Sequence, residues 1–131
     1  SQGECDVAII TTYYMGAMMS KPEQQAWADS VNVIFPNQSG YGTHMNISGV
    51  VLTKASPNRD NAVKLMEYLV SDVAQNLYAT GNHEYPIKTD VSPSELVSSW
   101  GEFKKDSLSL NDIAKYRAQA SRLVDTVDYD G

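Results

Sequence analysis

A chain of 131 residues suits one compact domain and leaves little room for two. Sixteen acidic residues against ten basic ones give a net charge of −6, which argues against a basic face for nucleic acid. With 42% hydrophobic residues, a single cysteine and no apolar run near the roughly 18–20 residues of a membrane span, the composition is globular. It excludes an internal disulfide, a Cys-rich zinc site, a coiled coil and a disordered tail.

The first segment, Cys5-Asp6-Val7-Ala8-Ile9-Ile10, is apolar and β-branched at its end, the pattern of a strand buried on at least one face. A strand this early is odd for a complete domain, so preceding structure is expected to be missing. Thr11 and Thr12 lead into Tyr13-Tyr14-Met15-Gly16-Ala17-Met18-Met19, where Thr can cap a helix and Met and Ala favour one. Both tyrosines then stand near that helix's N-terminus, and the methionine spacing reads as core packing. Ser20-Lys21-Pro22-Glu23 is a second start signal, for a short helix through Gln24, Gln25 and Trp27. Val31–Phe35 alternates as a strand stopped by Pro36-Asn37, and Gln38 to Thr43 is a loop with Gly40 and Gly42 around Tyr41. Ile47–Thr53 reads as a third strand, interrupted by Gly49.

Ser56-Pro57-Asn58 opens a helix whose apolar face is Ala62, Leu65, Met66 and Leu69. Ser71-Asp72 breaks it, and Asp72 with Gln75 resembles a capping box for a helix running to Gly81. Ser92-Pro93-Ser94-Glu95 combines an N-cap, a first-turn proline and a third-position glutamate. Ile113, Tyr116, Ala120, Leu123, Val124 and Val127 define a long amphipathic helix starting at Ser109. Strands alternating with helices indicate an α/β domain. Three strands would cover five or six helices poorly, which again suggests strands beyond those visible.

The adjacent pair Tyr13-Tyr14 is the most informative chemistry. A phenolate is a hard anionic oxygen donor, matched to a hard, highly charged cation such as Fe(III) rather than to Cu(I) or Zn(II). Free tyrosine titrates near 10, so a metal must displace its proton at neutral pH, and a helix N-terminus would help. Neighbouring helical side chains diverge by about 100°, so convergence on one ion calls for an irregular turn, which a strand-to-helix junction supplies. The competing structural reading is two half-buried aromatics packing at a junction. His44, after the glycine loop, is a candidate ligand or a solvated loop residue, and His83-Glu84-Tyr85-Pro86 reads as a turn. No phosphate loop, nucleophile elbow or nucleophile–base set occurs, so no catalytic residue is assigned.

Taken in order, several segments resemble the bacterial periplasmic ferric-ion-binding proteins, the substrate-binding components of Fe(III) ABC transporters. They are Cys5–Ile9 running into Thr12-Tyr13-Tyr14, Phe35–Gln38, Gly42–Val50, Pro57–Ala62, Ser71–Gln75, Glu84–Pro86, Ser94–Leu96 and Trp100–Phe103. The resemblance covers essentially the whole chain but only the C-terminal two-fifths or so of such proteins. It implies the C-terminal part of a two-lobed type II periplasmic binding protein, α/β, with incomplete sheets flanked by helices. By the same resemblance, residues 1–43 belong to the C-terminal lobe, 44–90 to the N-terminal lobe, and 91–131 return to the C-terminal lobe. Tyr13 and Tyr14 become the metal ligands, and Thr11 and Thr12 are anion or second-shell candidates, with Thr11 standing where many members carry Asn. The ion is Fe(III), with a synergistic anion such as phosphate, carbonate or citrate. The implied partner is a membrane ABC permease, the implied location the periplasm, and the implied activity capture and delivery without catalysis.

Three other readings stay open at this point. One is a binding protein for another solute, such as an oxyanion, polyamine or sugar. Another is an enzyme, which fold alone does not exclude. The third is a non-binding truncation whose exposed sheet edge drives self-association.

Overall fold

The computed structural model describes residues 5–129. Six helices follow one another: α1 (Thr12–Met19), α2 (Pro22–Ala28), α3 (Arg59–Leu69), α4 (Asp72–Gly81), α5 (Glu95–Ser99) and α6 (Leu110–Thr126). All six lie where the sequence signals place them. Their starts differ in detail. Lys21 rather than Ser20 precedes α2, with Pro22 at the first helical position, where a missing N–H forfeits nothing. Ser71 caps α4 by accepting the Ala74 N–H at 3.3 Å, so the cap is one residue earlier than the Asp72–Gln75 pattern suggests. Ser94, not Ser92, caps α5 through the Val97 N–H at 3.3 Å. For α6 the expected cap holds: Ser109 Oγ accepts the Asp112 N–H at 3.2 Å and donates to the Asp112 carboxylate at 2.6 Å.

The three expected strands form no ladder. Among the described residues, the β pairing is one isolated parallel bridge, Thr43 with Lys105. The physical reason is lateral: a strand exists only when its N–H and C=O groups meet a neighbouring backbone. The segments 5–10, 31–35 and 47–53 find none here. Their side chains are correspondingly open to solvent, with Ile9 90%, Ile34 82% and Val51 87% exposed. Cys5, expected inside a strand, is exposed as well.

The chain divides into two compact units, Ser1–Ile34 with Ile47–Glu102, and Phe35–Asn46 with Phe103–Gly131. In the first, α1 packs on α2 and α3 on α4. Met15, Ala28, Ala74, Ala79, Val91 and Val97 are its buried apolar residues. Gln75 is buried among them and fully engaged. Its amide donates to the Leu69 carbonyl at 2.8 Å, and its Oε1 accepts the Ile87 N–H at 2.9 Å. Lys88 adds an ion pair to Asp72 in the first turn of α4.

The second unit is organised by the glycine loop. Thr43 exchanges backbone hydrogen bonds with the 104–106 segment, its N–H to the Lys104 carbonyl at 2.8 Å and its carbonyl to the Asp106 N–H at 2.9 Å. Gln38 reinforces this by accepting the Lys104 N–H at 2.7 Å. Gly42 must be glycine: its φ is +100°, and a β-carbon would lie 2.7 Å from the Lys104 carbonyl oxygen. Phe35 and Phe103 stack with centroids 4.0 Å apart. The helix of this unit, α6, buries none of its residues. No helix among the described residues is long and apolar enough to cross a membrane.

Candidate metal centre

The tyrosine pair sits in the first turn of α1. Thr11 is the N-cap, with extended backbone (φ −78°, ψ 145°), and its carbonyl accepts the Tyr14 N–H at 3.1 Å. Its hydroxyl makes no capping bond, so the expected cap is positional only. Thr12 is the first helical residue, and Tyr13 and Tyr14 follow at once. The irregular turn expected for convergence is therefore a regular helical one. The rings nevertheless meet, edge to face, with centroids 5.4 Å apart and planes at 72°, an arrangement that matches the ring quadrupoles.

Both phenols reach solvent, Tyr13 being 44% and Tyr14 59% exposed. No acidic residue lies in the first turn, so the partial positive charge of the helix end is not offset there. A field of that sign favours negative charge near the start of a helix. Burial pushes the Tyr85 phenol above its ordinary value, so it holds its proton. Among the described residues, no three His, Cys, Asp or Glu side chains gather into a metal cage. His44 is exposed, in the second unit.

The other end of α1 is anchored. Met15 and Gly16 are buried, and the imidazole of His83 lies against Gly16. Its Nε2 is 2.8 Å from Ser20 Oγ. By sequence His83 reads as part of a turn and Gln75 as part of a helix cap. Both are structural centres whose partners are distant in sequence. The one local signal for His83 was its counterpart, a glycine inside a Met- and Ala-rich helix, which marks close approach by another group.

Residues 6–105 match the bacterial extracellular solute-binding protein family. The chain is 45% identical to iron uptake protein A1 of Synechocystis over 126 residues, 95% of this chain and 35% of that protein. Among solved structures, the apo ferric ion-binding protein A of Pasteurella haemolytica superposes with a TM-score of 0.85 at 52% identity. That match takes in 91% of this chain and 37% of the other. A Trichodesmium protein in complex with iron and citrate ligands superposes with a TM-score of 0.79 at 44% identity, over 88% of this chain and 37% of its own. These neighbours share the expected two-lobed periplasmic-binding-protein fold, and this chain spans little more than a third of each.

Proposed function

Because the chain belongs to the bacterial extracellular solute-binding proteins, we propose that it contributes to ferric-ion capture through the phenolates of Tyr13 and Tyr14. The observation that carries this reading is the pair itself: two adjacent, solvent-reaching tyrosines in edge contact at a helix N-terminus free of acidic residues. Hard oxygen donors in a positive helix field select a hard trivalent ion. Two phenolates leave about one positive charge on Fe(III), to be met by further ligands or an anion. We assign such an anion to Thr11 and Thr12 at the start of α1, and the Trichodesmium protein in complex with iron and citrate ligands supports that class of anion.

The activity is binding and hand-over to a membrane ABC permease in the periplasm, without turnover. In a two-lobed binding protein, lobe closure completes the coordination shell and opening releases the ion. The reading assigns residues 1–43 and 91–131 to one lobe and 44–90 to the other. This division follows the family resemblance and differs from the two compact units.

Visible absorption during titration with ferric citrate tests the reading. A phenolate-to-iron charge-transfer band should saturate in the wild type and vanish in Tyr13→Phe/Tyr14→Phe. A band of equal strength in the double variant would remove the pair from the metal. Acidification should weaken the band, since protons compete for the same oxygens. The exposed apolar runs around Ile9, Ile34 and Val51 favour a second reading, self-association of this chain. A monomer mass independent of concentration would sink it.

A further inference from the structure

We propose that His83 is a positioning residue for the tyrosine pair. Seated on the bare backbone of Gly16, its imidazole fixes the rotation of α1 and so the direction in which Tyr13 and Tyr14 present their oxygens. The proposal rests on the iron reading of that pair.

Three observations converge on His83. The first is steric. A β-carbon on Gly16 would lie 2.6 Å from the His83 Cβ and 2.7 Å from its Cγ and Cδ2, so the ring occupies the space a methyl group would need. Gly16 follows Tyr13 by three residues, close to one turn, so the contact bears on the helix directly beside the pair.

The second is the hydrogen bond. Ser20 donates its hydroxyl proton to the Gly16 carbonyl at 3.0 Å, and the same oxygen lies 2.8 Å from His83 Nε2. A hydroxyl has one proton. Once that proton goes to Gly16, Oγ is an acceptor toward the ring, and this network assigns the hydrogen of His83 to Nε2. His83 is thereby tied to α1 at its middle and at its C-cap, Ser20. Nδ1 is left buried and, among the described residues, without a partner.

The third is the backbone. His83 has φ +56° and follows Asn82, the C-cap of α4. This left-handed position after a helix is most often glycine, which has no β-carbon to strain. A strained backbone and an orphaned ring nitrogen are both unfavourable, and they persist only where the surroundings over-determine them. What they secure is the ring on Gly16.

The test uses the 131-residue chain with ferric citrate, comparing wild type, His83→Ala, His83→Gln and Ser20→Ala by the charge-transfer band and by far-ultraviolet circular dichroism. His83→Ala should shift the band and raise the ferric citrate needed for half-saturation about tenfold, the effect typical of losing an outer support of a metal ligand. His83→Gln, whose amide can still donate to Ser20, should recover part of both. Should His83→Ala lose its helical signal, Ser20→Ala keeps the ring, removes the tie together with the hydroxyl's bond to the Gly16 carbonyl, and should still shift the band. A wild-type band reproduced unchanged by the folded His83 and Ser20 variants overturns the positioning role alone. No band in the wild type overturns the iron reading, and this proposal with it.

Discussion

Helices α4 and α6 look alike in sequence and differ in what surrounds them. Each is amphipathic, and each starts at a serine whose hydroxyl accepts a first-turn N–H. Yet α4 buries Ala74, Gln75 and Ala79, while the 17 residues of α6 include no buried one. The difference shows that an apolar stripe specifies a helix and a face without specifying a neighbour. In α4 the neighbour is chain of the same unit, tied on by Gln75 and Lys88. Along α6, Tyr116, Leu123 and Val127 remain 59%, 62% and 59% exposed.

The contrast can be broken by substitution. Gln75→Ala should have the largest effect, about 3 kcal/mol in urea unfolding, because it strands the Leu69 carbonyl and the Ile87 N–H. A loss under about 0.5 kcal/mol would mean that α4 is no better anchored than α6. Ser109→Ala should cost about 1 kcal/mol of helix stability, visible as fraying of α6 in amide exchange, since a lone helix leans on its cap. Leu123→Ala, on the open face, should change stability by less than about 0.5 kcal/mol. A larger loss would reveal a covering partner for α6 in solution.

The smallest effect is one of pH. The Lys115 ammonium, and then the Ser109 hydroxyl, hold the Asp112 carboxyl below the ordinary carboxylate range. A group depressed on folding contributes stability above its unfolded value and loses it as pH falls through the folded one. The first turn of α6 should therefore fray on acidification below about 3.8, the ordinary value, while α4 at the same pH keeps its Gln75 bonds, which do not titrate. Helical amide shifts followed by nuclear magnetic resonance through that range would separate the two.

What the sequence determined by itself was local and chemical. Pro22, Ser109 and Gly81 mark helix ends because their effects reach only one turn. The Tyr13-Tyr14 pair raises the proposal of a hard-metal chemistry, because donor hardness belongs to the residue, whatever the fold. Tertiary structure decided what depends on a neighbour. Ile9, Ile34 and Val51 carry strand composition and stay unpaired, because a ladder needs a second backbone that these described segments do not meet. Gln75 became a bridge and His83 a wedge on Gly16 because their partners come from other segments, up to 67 positions away in the chain, and residue order carries no direct signal of such an approach.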